Sequence, residues 1–502
     1  MKLIVATLII ISLLAASCMA GTQAQTGRSM TQADAPPRPF LSPCPMPELK
    51  TKAWCGRYEV FENRAARRGR KIALNMVLLP ALTEKFAPDP VFFIAGGPGQ
   101  SAATLAADLG EGPLMNLRQE RAIVFLDQRG TGASNPLTCR LYTDDKDLRD
   151  YFEDMFPVQQ VRACREQLEK VADLTQYTTT NAIEDLDEVR RALGYQQINL
   201  YGGSYGTTVA LAYMRQYGAH VRSAVLAGVA PTSMGLPLPF ARGAQYALTH
   251  LIDDCAADTA CRAAFPDLRA EFQSVLERLG KGPVSVEVVN PFTKKLESIS
   301  LSRGIFAERL RMLLYGRAPA SVVPLLIHRA AQGDFKPFIL AALPQARGIY
   351  QSLSLGMYFT VTCAESVPFI TEADVRRETS DTFLGDWRVR VHQRACREWP
   401  RAAVPQNFTS PVKSDVPVLM LSGEFDPASP RWLATEAART LPNSRQVHIP
   451  YGGHDYLSPC LSNIIAEFIA KGTGAGLNTA CAEATKRPPF VTTLPEALAP
   501  SP

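Results

Sequence analysis

The pentapeptide Gly202-Gly203-Ser204-Tyr205-Gly206 offers a nucleophile. It follows a strand-like stretch, Gln197 to Tyr201, and opens a helix-like run from Thr207 to Tyr217. A Gly-x-Ser-x-Gly between strand and helix makes so tight a turn that its flanking positions need residues without a Cβ, and the serine projects from the tip. The N–H of Tyr205, at the helix start, then points toward a carbonyl bound at that serine. A serine hydroxyl needs a base, and the chain has six histidines. His220, His250, His328 and His392 all precede the last strand-like segments, and His448 sits inside one of them, Gln446 to Ile449. His454 follows that run in the glycine-rich loop Tyr451-Gly452-Gly453-His454-Asp455. Loops beyond strand ends are where such scaffolds carry catalytic groups. An acid between serine and histidine in chain order would hold the imidazole tautomer and stabilise the imidazolium. Asp426 stands there, in the loop that ends the apolar run Val416 to Leu421, with Glu424 as its neighbouring competitor. Ala95-Gly96-Gly97-Pro98-Gly99 offers bare backbone for a second oxyanion donor, with Gly97 favoured over Gly96. Acyl transfer through a serine is the chemistry these residues suit.

The segments around them must place these groups together. Tyr58 to Phe61 and Ile72 to Leu78 read as a strand pair about a basic turn, Arg64 to Lys71, taken as solvated. Pro90 to Ala95 and Arg121 to Leu126 are short, unalternating apolar runs, as in strands buried on both faces. Ile183, Leu186, Val189 and Leu193 recur at helical spacing, and Gly194 closes that segment. Ser223 to Gly228 is strand-like again. Such alternation predicts an α/β protein with a mainly parallel sheet. From Pro231 to Pro405 helical segments dominate, among them Phe240 to Leu251 and Ile305 to Leu314, and then the α/β rhythm returns. The organisation read from this is a signal peptide (1–20), a tether (21–40) and the first part of the core (41–230). A mostly helical cap (231–405), the second part of the core (406–487) and a Pro-rich tail (488–502) complete it.

Composition narrows the functional classes. With 502 residues, 46% of them hydrophobic and 20% charged, the chain is not disordered throughout. Lys+Arg 53 against Asp+Glu 48 gives a net charge of +5, too little for a nucleic-acid footprint along the whole chain. No cofactor is called for, and no metal either: there is no C-x-x-C, and His392 and Cys396 have no further ligand pair near them in sequence. Lys2 and the apolar run Leu3 to Leu14 read as an export signal too short to span a bilayer comfortably. Two processing readings stand side by side. Ala15-Ala16-Ser17-Cys18 resembles a lipobox that would anchor Cys18 to a membrane, and signal peptidase cleavage after Ala20 or Ala24 would release the chain. Of the 11 cysteines, all but Cys18 fall into successive pairs, with neighbour-to-neighbour bridging the simplest arrangement. Connectivity and oligomeric state are not legible at this level.

The joint pattern resembles the α/β-hydrolase family of prolyl iminopeptidases and tripeptidyl aminopeptidases. Ala95-Gly96-Gly97-Pro98-Gly99 is similar to that family's H-G-G-P-G loop, and Asp127-Gln128-Arg129-Gly130-Thr131-Gly132-Ala133-Ser134 to its D-Q-R-G-x-G-x-S segment. Gly202 to Thr207 matches its nucleophile segment, and the likeness runs from about Cys55 to Cys481. Ala95 stands where prolyl iminopeptidases usually carry His, which leans toward the tripeptidyl branch. The resemblance implies an α/β-hydrolase fold with an inserted helical cap, and structural roles for Asp127 and Arg129. It implies an exported serine aminopeptidase acting on peptides with a free N-terminus, in the periplasm, at the cell envelope or outside the cell. Such an enzyme needs an anion for the substrate's α-ammonium. Glu365, in Thr362-Cys363-Ala364-Glu365-Ser366, resembles a segment of the tripeptidyl branch and takes that role, with a Cys363–Cys396 bridge to fix it. An esterase or lipase on the same fold and a catalytically silent envelope binding protein are the alternatives.

Overall fold

The computed structural model describes residues 38–498 apart from 142, 143 and 145. The leader, both processing readings and nearly all of the tether lie outside the described residues, as does the end of the Pro-rich tail.

The short apolar runs form the centre of a nine-stranded sheet. Its strands are β1 (Leu41–Cys44), β2 (Ala53–Phe61), β3 (Lys71–Leu79), β4 (Val91–Ile94), β5 (Ile123–Leu126), β6 (Ile198–Gly203) and β7 (Val221–Ala227). A separate hairpin consists of β8 (Val284–Val289) and β9 (Leu296–Leu301), and β10 (Val418–Gly423) and β11 (Ser444–Ile449) complete the main sheet. The order is β1-β2-β3-β5-β4-β6-β7-β10-β11. The first three strands pair antiparallel, and β5, β4, β6, β7, β10 and β11 all run parallel. Every residue of β4 and β5 is buried, since two hydrophobic clusters cover the two faces of the sheet. This is the α/β-hydrolase architecture.

Parallel pairing fixes where chemistry can gather. The carboxyl ends of β4, β6, β10 and β11 share one edge, and the loops leaving them carry Gly97, Ser204, Asp426 and His454. Ligands in open α/β sheets bind beyond that edge.

Between β7 and β10 the chain is mostly helical, including Phe240–Ala257, Arg303–Leu313, Leu355–Glu365 and Trp387–Arg397. The β8–β9 hairpin interrupts it, and the sequence reading passed over it. Its signal was present: Val284, Val286 and Val288 alternate with polar residues, and Val286 and Val288 are buried. The basic turn is exposed from Ala65 to Lys71, as expected, and departs from expectation only at its first residue. Arg64 is not solvated but pairs with Glu184, Asp185 and Glu188 on the helix Thr179–Ala192. Asp185 in turn receives two hydrogen bonds, of 2.6 and 2.8 Å, from the fully buried Arg129. That helix therefore buries charge on the face its sequence would assign to water.

Asp127 ties the loops below the site. It accepts from Ser101 Oγ and the Ala103 N–H on one oxygen, and from Asn75 Nδ2 and the Ala133 N–H on the other. Five disulfides join Cys44–Cys55, Cys139–Cys164, Cys255–Cys261, Cys363–Cys396 and Cys460–Cys481, each between neighbours in sequence. Among the described residues no helix is long and apolar enough to cross a membrane.

Candidate active site

Ser204 sits between β6 and the helix Tyr205–Tyr217 with φ 53° and ψ −124°. A side chain at positive φ costs about 1–3 kcal/mol and persists only where its surroundings over-determine it. Here the Ser204 N–H donates to the Ala227 carbonyl at 2.8 Å, and the Thr207 N–H and hydroxyl both donate to the Ser204 carbonyl. Bare backbone makes the turn possible. A Cβ on Gly206 would lie 2.2 Å from the Ile94 carbonyl oxygen, and one on Gly96 would lie 2.9 Å from that of Gly203. The loop after β4 thus rests directly on the serine turn. Tyr205 is the first residue of its helix, so its N–H has no partner within that helix.

Asp426 and His454 meet through a 2.7 Å contact between the carboxylate Oδ2 and Nδ1. Asp426 is fully buried and heavily solvated by protein donors: the N–H groups of Ala428 and Ser429 on Oδ1, and the hydroxyls of Ser429 and Tyr456 on Oδ2. Burial alone would raise its pKa, but His454 and these hydrogen bonds outweigh that and hold the carboxyl far below the usual range. The competitor, Glu424, is engaged elsewhere, by the Tyr246 hydroxyl at 2.9 Å and by Arg431 at 3.3 Å. The His454 ring packs edge-on against Tyr315 and Tyr456, and the His454 backbone N–H donates to the Tyr315 carbonyl.

Two residues here escaped the sequence reading. Ser429 Oγ donates to Asp426 and lies 3.1 Å from His454 Nδ1, so it touches both partners. Tyr456 caps the same carboxylate oxygen. Ser429 stands three residues after an Asp-Pro turn, and that position, where an Asp side chain gathers nearby donors, was the available signal.

Two cavities adjoin at Ser204. The first, of about 80 Å³, is lined by Gly97, Ser204, Tyr205, Ser429 and Glu365 among others. Glu365 is fully buried at the end of the helix Leu355–Glu365 and accepts from the Thr179 N–H and hydroxyl, each at 2.6 Å. The Thr179 hydroxyl also contacts the Tyr205 hydroxyl at 2.6 Å. Burial pushes the Glu365 carboxyl up to about 7, against the pull of the two Thr179 donors. The second cavity, of about 250 Å³, is lined by Ser204 and His454 together. Among the described residues no group of three or more His, Cys, Asp or Glu is placed to hold a metal ion.

Comparison with known proteins agrees with this fold. A family model described as alpha/beta hydrolase fold matches residues 89–249, and one described as TAP-like protein matches residues 383–481. The serine protease Hip1 of Mycobacterium tuberculosis (strain ATCC 25618 / H37Rv) is 25% identical over 442 residues, covering 81% of this chain and 82% of its own. The tripeptidyl aminopeptidase of Streptomyces lividans is 26% identical over 437 residues, covering 78% and 77%. A proline iminopeptidase of Neisseria gonorrhoeae is 28% identical over 140 residues, only 28% of this chain and 32% of its own. The likeness to the first two spans about four-fifths of the chain, which carries an alpha/beta hydrolase fold domain over residues 89–249 and a TAP-like domain over residues 383–481.

Proposed function

We propose that the chain is an exported serine aminopeptidase that takes peptides with a free N-terminus. Ser204 Oγ attacks the scissile carbonyl while His454 takes its proton and then returns it to the leaving amine. Asp426, hydrogen-bonded to Nδ1, fixes the tautomer and stabilises the imidazolium. The N–H groups of Gly97 and Tyr205 receive the developing oxyanion. Water then hydrolyses the acyl-enzyme. Supporting export are the apolar leader and the five disulfides, which persist in oxidising compartments.

The observation that carries the aminopeptidase reading is Glu365. Its carboxylate lines the Ser204 cavity with one amide and one hydroxyl donor, both from Thr179, but, among the described residues, no cationic partner. A substrate α-ammonium supplies the missing charge. Glu365→Gln should therefore lower kcat/KM on free-amine peptides by about 10–100-fold, the worth of one charge-assisted hydrogen bond. N-terminally blocked peptides and simple esters should change little. Equal loss on all substrates would remove Glu365 from this role and favour an esterase. The pH dependence has a definite sign. Below about 7 Glu365 is neutral and cannot pair with the ammonium, so turnover of free-amine peptides should rise with pH through that region. The Glu365→Gln variant should lose that limb, which comparison of the two profiles would reveal.

A further inference from the structure

The second cavity at Ser204 has a chemistry opposite to the first. Arg309, Arg311 and Arg388 line it, and among the described residues Glu308 is the only acid that does so. All four side chains are at least nine-tenths buried. Glu308 takes two hydrogen bonds from Arg311, at 2.7 and 3.0 Å, and one from Arg388 at 3.1 Å. Despite its burial, these two guanidinium groups hold the Glu308 carboxyl down to about 2, so it stays charged. Arg309 donates to the Tyr151 carbonyl and, among the described residues, has no ion pair. Among the described residues the balance is three cations against one anion in a buried space, and Arg388 Nε has no hydrogen-bond partner. Uncompensated charge of this kind is costly unless a ligand completes it.

We infer that this cavity is a carboxylate subsite for the leaving portion of the substrate, with Arg388 and Arg311 as its ligands. The side follows from His454, which lines this cavity and not the first. The base that protonates the leaving amine faces the leaving portion, so the acyl portion and its ammonium occupy the Glu365 side. The electric field thus runs across Ser204 from a cluster of guanidinium groups to a carboxylate, matched to a short zwitterionic peptide. Arg311 also connects to the base through Tyr315, whose hydroxyl it meets at 2.9 Å and whose ring packs on His454. The carboxylate is either the peptide's own C-terminus or an acidic side chain beyond the scissile bond. The inference rests on the aminopeptidase reading for which end of a peptide lies where.

The test is a set of short free-amine peptides identical up to the scissile bond. One pair differs by a C-terminal carboxylate or carboxamide, and a second by Asp or Asn in the leaving portion. At least one carboxylate should raise kcat/KM by about tenfold or more, and the pair that responds identifies its source. Arg388→Gln should shrink that ratio to within about twofold, and Arg388→Lys should keep part of it by retaining the charge. Ratios near one in both wild-type pairs would overturn the subsite without needing any variant to fold. A matched pair of esters whose leaving alcohols carry a carboxylate or its amide reads the same cavity independently of peptide cleavage. If peptides stay intact while the carboxylate ester is preferred, the aminopeptidase reading fails and the subsite stands. If neither ester nor peptide pair discriminates, the subsite fails.

Discussion

Ser204 is held at a backbone angle that most side chains avoid, and the contacts which hold it there come from three separate strands' worth of chain. Its own N–H is fixed by Ala227 at the end of β7, its carbonyl by Thr207, and its turn by the bare backbone of Gly96. The imidazole is fixed just as closely. Ser429 bridges Asp426 and His454 from the wall of the first cavity, so it holds the base in position. Ser429→Ala should lower kcat about tenfold, the scale of one hydrogen bond to a charged group, with KM nearly unchanged. Ser429→Thr, which keeps the hydroxyl, should restore most of it; steady-state kinetics on one peptide would show both. A loss in KM alone would mean that Ser429 binds substrate instead. Ser204, Asp426 and His454 were legible because sterics, chain order and loop position restrict each to few choices. Ser429 was not, because its one signal, a place three residues after the Asp of an Asp-Pro turn, says nothing of His454 until the fold brings the two together.

At the scale of elements, the strands were read from their own residues. β4 and β5 are unbroken apolar runs because both faces of the sheet are covered, and no other arrangement suits such short segments. Helices with buried charge misled the same logic. Asp185 and Glu308 look like surface residues in sequence, and each is buried by an arginine from another part of the chain, Arg129 or Arg388. Pairing of that kind depends on tertiary structure, which local periodicity does not record. One element-level link bears directly on the site. Cys363–Cys396 joins the helix that ends at Glu365 to the helix Trp387–Arg397, which carries Arg388. Replacing both cysteines by serine should raise KM for free-amine peptides by at least about threefold while leaving hydrolysis of blocked esters nearly intact, since a looser helix misplaces the carboxylate. Equal effects on both substrate types would place the bridge in general stability instead.

Across the whole molecule, the covalent cross-links stay local. Three of them close before residue 262, and the other two open after residue 362. Between them lies the β8–β9 turn, with Phe292 and Leu296 well exposed, the sort of tip at which proteases cut. A single cut there would divide the polypeptide into two pieces that no sulfur–sulfur bond connects, one bearing Ser204 and the other Asp426 and His454. Under native conditions the pieces should remain associated through the β7–β10 pairing and keep their activity. In denaturant without reductant they should migrate as two separate bands, and a single undivided band would reveal a bridge between the halves.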